Sequence, residues 1–422
     1  MYHLNQAWRP LFRCCVRGTN RSQVCAIVIA GAILAMLLSS DAGAARKFTT
    51  ADLEGTWNLH GLISGRPKDF QSWIYGTMTC DANGNSIWRA TNHTGETNQS
   101  NATLETSGEG IITAREISAH GSAFHGAMRN NKDTIVFTMN DGGGGCNLGV
   151  CTRTAGTFTT ADFEGTWVCH GLISGNQPGQ VPGWYYYSMT ADKFGNAQFS
   201  TIVDSEGNKH YTVRPSQFSV AANGVVSLYD PQGELPFFHG AMNPAKDTIV
   251  AVATMAPGSI EDIRGFNLLI GEKQVPGAYG TSDLTGTWYG YGLVSGSTYN
   301  QWTGWYHFTS VVDSQGKSSI VPGSYLNSHG ETEQAGTSLM SMTSDGIITM
   351  PSPVGFHGIL GIGKDISVAT MYDGGGGYGL SISVGRRGDR FDFDGDVDFV
   401  LLLVGILVSC ANLLRWYLVK LL

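Results

Sequence analysis

Two histidines recur at fixed places along the chain. His60 and His125 return as His170 and His239, while a third copy keeps His357 but has Tyr291 in the other place. Paired imidazoles suit metal ligation or acid–base chemistry. A structural zinc takes four ligands, so two histidines are too few, and the third copy loses one of them. A structural role is therefore expected for His125, His239 and His357, each imidazole donating to a backbone carbonyl at a strand end. The carboxylates are no more suggestive. Glu54 and Glu164 are matched by Thr285, which leaves no repeated acid pair for sugar hydrolysis. No Gly-x-Ser-x-Gly elbow occurs. Asp141-Gly-Gly-Gly-Gly145 lacks the Gly-Lys-Ser/Thr of a phosphate loop. The Lys-Asp pairs starting at Lys132, Lys246 and Lys364 read as turn punctuation. No residue is assigned a catalytic role.

The densest set of oxygen ligands lies near the C-terminus. Asp392, Asp394, Asp396 and Asp398 alternate with other residues, and Gly395 permits a sharp turn. Alternating oxygens around a glycine are what a Ca²⁺ loop needs. This stretch resembles the calcium loops of dockerin and other EF-hand-like secreted modules, which implies Ca²⁺ as a cofactor. The register is incomplete: with Gly395 at the sixth position Arg390 takes the first, and no acidic twelfth ligand follows. The competing reading is an acidic linker.

These residues sit within a tandem repeat. Asp52-Leu-Glu-Gly-Thr-Trp57 returns as Asp162-Phe-Glu-Gly-Thr-Trp167 and as Asp283-Leu-Thr-Gly-Thr-Trp288. An aromatic segment follows each opening, from Trp73, Trp184 and Trp305. Each runs into a turn signal: Asp81-Ala-Asn-Gly, Asp192-Lys-Phe-Gly or Asp313-Ser-Gln-Gly. Asp bonds its own backbone there and Gly supplies positive φ. Late in each copy come Phe124-His-Gly, Phe238-His-Gly and Phe356-His-Gly. About eight short segments per copy are rich in Thr, Val, Tyr and Ile, and no stretch has helical periodicity.

The fold expected is all-β: three tandem antiparallel domains, each an up-and-down barrel of about eight strands. The alternative is one six-bladed β-propeller with two blades per repeat. Barrels are favoured because the Gly-Thr-Trp element occurs once per repeat, whereas blades would show half that period. The Gly-x-Trp start resembles the lipocalin (calycin) signature, and the resemblance implies that Trp57, Trp167 and Trp288 pack across one end of a barrel.

The chain has 422 residues, of which 42% are hydrophobic and 14% charged, with 57 glycines and a net charge of −8. An average soluble domain is ~25% charged. Low charge with many Gly, Thr, Ser and aromatic residues suits an extracellular β-protein. The lack of a basic run excludes nucleic acid as a partner. Arg9, Arg13, Arg17 and Arg21 precede an apolar run from Val24 to Leu38, and Ala42-Gly43-Ala44 fits a cleavage site. That order describes a secretory signal peptide; an uncleaved anchor is the alternative. In an oxidising compartment Cys146 and Cys151 are expected to pair across a small Gly-rich loop, while Cys80 and Cys169 have no assigned partners. From Phe399 to Val419 the chain is apolar enough to reach a membrane span, with Trp416, Tyr417, Arg415 and Lys420 suiting an interface.

The organisation expected is a signal peptide at 1–44, repeats at 45–157, 158–279 and 280–386, the Asp-rich loop at 387–398, and an apolar C-terminal anchor or helix at 399–422. The function expected is that of a bacterial-type, secreted or envelope-anchored, non-enzymatic protein for binding or display. Three similar modules would add avidity for a repetitive ligand, which points to an extracellular glycan or an envelope protein, with the membrane reached through the C-terminal segment. The alternatives are a dockerin-like component of an extracellular assembly, or a hydrolase with its site in one diverged repeat.

Overall fold

The computed structural model describes residues 48–386, less the stretches 66–70, 118–123, 141–144, 175–181, 211–215, 230–236, 256–264, 296–302, 333–335, 352–354 and 373–376. The N-terminal run, Asp392, Asp394, Asp396, Asp398 and the apolar C-terminal run lie outside these residues. Among the described residues no helix is long and apolar enough to cross a membrane.

Each repeat folds as a β-barrel, so the propeller alternative falls. The first barrel closes through β1 (Gly55–Gly65), β2 (Ser72–Cys80), β3 (Asn85–Asn92), β4 (Thr97–Thr106), β5 (Ile111–Ile117), β6 (Phe124–Met128), β7 (Thr134–Asn140) and β8 (Gly145–Arg153), with β8 pairing back on β1. The second uses β9 (Gly165–Ser174), β10 (Gly183–Ala191), β11 (Asn196–Phe199), β14 (Ser216–Val220), β15 (Val225–Tyr229), β16 (Phe237–Met242), β17 (Thr248–Met255) and β18 (Gly265–Gln274). The short strands β12 (Ile202–Asp204) and β13 (Lys209–His210) hang from β10.

In the third barrel, β19 (Gly286–Ser295), β20 (Gly304–Val312) and β21 (Lys317–Ile320) lead to β23 (Thr337–Leu339), with β22 (Leu326–Asn327) on the side of β20. β24 (Ser341–Met342), β25 (Ile347–Thr349), β26 (His357–Leu360), β27 (Ile366–Tyr372) and β28 (Tyr378–Arg386) complete it. Only Met340 separates β23, which pairs β21, from β24, which pairs β25. The chain itself thus bridges the ring.

Local chemistry explains the turns. Asp81 Oδ1 accepts from the amides of Asn83 and Asn85 at 2.9 Å. Gly84 stands at φ +85°, and a Cβ there would lie 2.0 Å from the Leu104 carbonyl. Gly195 and Gly316 repeat this against Phe218 and Met340. Lys132, Lys246 and Lys364 hold the left-handed conformation at φ 61°, 60° and 57°.

Strand alternation sends one set of side chains into each barrel and the other set outward. On β1, β7 and β8, and on their counterparts in the other copies, the outward set is also apolar. Leu62, Val136, Leu148, Leu172, Val250, Leu268, Leu293, Val368 and Leu380 belong to one buried cluster drawn from all three barrels. The barrels are therefore packed on one another around a common core.

Candidate functional site

Each Gly-Thr-Trp tryptophan is buried and donates its indole N–H to the carbonyl four residues earlier. The bonds are Trp57 to Leu53 at 2.9 Å, Trp167 to Phe163 at 2.9 Å and Trp288 to Leu284 at 2.6 Å. The acceptors end short 3-10 turns. The Lys-Asp pairs do more than mark turns. Lys132, Lys246 and Lys364 bond the opening carboxylates Asp52, Asp162 and Asp283 at 2.9, 2.8 and 2.7 Å. Their sequence neighbours Asp133, Asp247 and Asp365 turn inward and are buried.

The histidines reach the neighbouring barrel, where the His170 ring also meets the backbone of His357 at the start of β26. They pair between barrels, in cyclic order. His60 Nε2 lies 2.9 Å from His239 Nδ1, His170 Nε2 lies 2.9 Å from His357 Nδ1, and Tyr291 Oη lies 3.1 Å from His125 Nδ1. Tyr75 stacks on His239, Tyr186 on His357 and His307 on His125. Burial holds His125, His239 and His357 at about 4 and His307 at about 3; it also pushes His60 and His170 well down, helped by the facing imidazole. Neutral imidazoles at these seams act as packing and hydrogen-bonding groups. Among the described residues no group of three or more His, Cys, Asp or Glu could hold a metal ion.

The aromatic openings obey the same cyclic order. Trp73 of the first barrel donates to Thr254 of the second at 2.8 Å, and Trp305 of the third donates to Asn140 of the first. Trp184 of the second meets Tyr372 of the third edge-on. All three indoles are buried, so none is available to stack on a sugar.

At the axis the copies diverge. Arg129 of the first barrel is buried and bonds Asp247 of the second through Nη1 at 2.7 Å and Nη2 at 2.9 Å, and Asp365 of the third through Nε at 2.6 Å. Asn243 bonds both Asp133 and Asp247. Burial opposes the Arg129 charge, but hydrogen bonding and the surrounding carboxylates outweigh it and raise its pKa. Glu272 is fully buried, accepts from Thr248 through Oε2 and leaves Oε1 unpartnered. Burial pushes its carboxyl well above the usual range, so it is held as the acid.

The barrel interiors also diverge, and here a ligand-sized space opens. In the first barrel the strand register points Leu59, Met78, Ile135 and Cys151 inward, all buried. The second fills the matching layer with Cys169, Met189 and Ile249, and adds Tyr185 and Tyr187. In the third the same places carry Gly290, Ser310, Ser367 and Ser383. The result is a cavity of about 560 Å³. Trp288, Leu284 and Val312 line it, with Tyr306, Phe308 and Phe356 and the hydroxyls of Ser310, Ser367, Ser381 and Ser383. Phe308 and Tyr306 lie over Gly290 and Gly292, where a Cβ would approach their rings to 2.4 and 2.1 Å. Ligand pockets of roughly 300–1,000 Å³ are mostly apolar with a few placed polar groups, and this one fits. Position-by-position comparison of the repeats holds the signal: Met78 and Met189 become Ser310, and Ile135 and Ile249 become Ser367, in the third copy alone.

Cys146 and Cys151 do not form the expected bridge. Both lie on β8, five residues apart and so on opposite faces. An extended strand puts them ~16 Å apart, far beyond the ~7 Å reach of a disulfide. Cys80, Cys146, Cys151 and Cys169 are all buried.

No known family and no curated protein matches the sequence. Solved structures that resemble it are β-barrel proteins. A protein of unknown function of the DUF3598 family from Nostoc punctiforme is 10% identical over 55% of this chain and 100% of its own, with a TM-score of 0.21. Transferrin binding protein B from serogroup B Neisseria meningitidis is 10% identical over 79% and 77%, at 0.26. A double mutant of that protein from Haemophilus parasuis is 12% identical over 78% and 75%, at 0.22. At such TM-scores the likeness carries no argument about this chain.

Proposed function

We propose that this chain is a non-enzymatic binding protein of the cell envelope whose third barrel is the ligand compartment. The observation that supports it is the cavity of about 560 Å³ in the third barrel, where Ser310 and Ser367 stand at places that the first two barrels give to the buried Met78, Ile135, Met189 and Ile249. Shared packing of the three barrels makes the first two a rigid mount for the third. The arginine-led N-terminal run, the apolar C-terminal run and the Asp-rich loop support export, anchorage and Ca²⁺ binding in that order. The multivalent glycan reading loses its aromatic platforms, because those indoles are buried between barrels. Organic extraction of the purified protein, followed by mass spectrometry, should release a small molecule in stoichiometric amount, or the emptied protein should take up a polarity-sensitive dye. The variant Ser310→Met/Ser367→Ile, which installs the first barrel's side chains, should do neither. Equal uptake by that variant removes the third barrel as the site.

A further inference from the structure

The chemistry of the cavity wall also sets the charge of the ligand. We infer, resting on the binding function proposed above, that the third barrel takes an uncharged, ring-containing molecule bearing hydroxyl or carbonyl groups and rejects anions. Among the described residues that line the cavity there is no Lys, Arg or His. Among the described lining residues the one carboxylate is Glu331, an exposed side chain that accepts from Asn327 Nδ2 at 2.6 Å. A carboxylate, sulfonate or phosphate entering the barrel would lose its hydration without gaining a counter-charge, and would also meet Glu331. Burial of an unpaired charge is among the largest penalties in a protein interior.

The wall offers two complementary surfaces to a neutral guest. On β27 and β28, Ser367 and Ser383 face each other across the ladder, with Ser381 next along β28. Ser310 continues the hydroxyls on β20. Among the described residues no protein hydrogen bond engages these four hydroxyls, so they can serve a guest that brings oxygen. Phe308, Tyr306, Phe356 and Trp288 supply flat aromatic area for rings. Met340 and Met371 adapt to an irregular outline. The first two barrels have no such serine layer at the matching places, where Met78, Ile135, Met189 and Ile249 stand.

A matched pair of dyes isolates the charge. Phenylnaphthylamine is neutral, and anilinonaphthalene sulfonate is the same ring system with one sulfonate added. Titration of the full chain should show the neutral dye binding at least about tenfold more tightly. Glu331→Gln should narrow that gap by strengthening sulfonate binding. Ser383→Ala, which removes one hydroxyl and little volume, should weaken an oxygen-bearing competitor by about threefold to tenfold while leaving the neutral, oxygen-free dye unchanged. Equal affinity for the two dyes, both abolished by Ser310→Met/Ser367→Ile, would overturn the charge inference while leaving the third barrel as the binding site. Equal affinity that survives the filling variant would overturn the site as well. If the filling variant does not fold, retention of the dye preference and its response to Glu331→Gln decides the matter alone.

Discussion

Arg129 of the first barrel bonds Asp365 of the third, Nε to Oδ1, at 2.6 Å. The same guanidinium forks onto Asp247 of the second. One side chain therefore ties three barrels at their axis, and its counterparts in the other copies, Asn243 and Gly361, leave the position to it. Removing one partner of a buried ion network strands the others, which typically costs ~3–5 kcal/mol. Arg129→Ala should lower the stability of the whole chain by about that much. Lys132→Ala, which breaks the half-exposed bond to Asp52, should cost about 0–1 kcal/mol. Denaturant unfolding of both variants checks the contrast; equal losses would mean that the axis network is dispensable.

The seam histidines make the assembly acid-sensitive. Their folded-state pKa values, about 4 for His125, His239 and His357, lie below the ordinary ~6.5. A base with a depressed pKa favours the neutral form in the folded state. Protons then bind the unfolded chain first, so stability is full above ~6.5 and declines as pH falls toward 4. His60→Tyr and His170→Tyr import the arrangement already present at Tyr291. Melting curves at pH 7 and pH 4.5 should show a smaller acid loss for the doubly substituted protein. An unchanged acid limb would assign the loss to carboxylates alone.

Glu272 carries the opposite dependence. Its raised pKa means the folded state keeps a proton that the unfolded chain releases above ~4.3. Its stability contribution is present in acid and lost as pH rises toward the folded-state value. Glu272→Gln keeps the shape and removes the titration, so the variant should gain stability on the parent between pH 6 and pH 9. A gain that does not grow with pH would contradict the protonated assignment.

Thiol counting tests whether Cys146 and Cys151 are bridged. Cys151 and Cys169 are fully buried and burial pushes both thiols up, Cys169 to about 12. The native body should react slowly with a thiol reagent. The denatured, unreduced body should expose thiols at Cys80, Cys146, Cys151 and Cys169 alike, and reductant should leave the melting temperature unchanged.

The barrels were legible in the sequence because one short motif recurs at domain spacing, and each Gly and Asp in the turns has a local job. The tryptophan ends were legible through the same motif. The seams were not. Alternation shows that His60 and Leu62 face away from Trp57, but not that the outer face meets another barrel. Three weakly polar outer faces were the available hint, since a free barrel would show charge there. The cavity was hidden because serine is unremarkable singly; only Ser310 against Met78, or Ser367 against Ile135, reveals a loss of volume. The inference of a Cys146–Cys151 bridge failed because the segment between them, Asn147-Leu-Gly-Val150, is strand and not loop.

The two ends of the repeat family should respond differently to the same substitution. Trp57 is fully buried, and the Arg153 guanidinium sits 4.2 Å above its ring. In the third barrel the place of Arg153 belongs to Gly385, where an added Cβ would come within 2.9 Å of Trp288. Trp288 also lines the cavity. Truncating a packed tryptophan typically costs ~3–5 kcal/mol, part of it for the void created. Trp57→Ala creates a new void beneath Arg153 and should fall in that range. Trp288→Ala extends a space that already exists and forfeits fewer contacts, so its cost should be smaller. Dye affinity should order the variants the other way: Trp288→Ala weakens binding of phenylnaphthylamine, and Trp57→Ala leaves it intact in the folded protein. Denaturant unfolding and dye titration on the same two variants give four values. Parallel losses in both measurements would show that the third barrel is packed like the first and holds no separate ligand compartment.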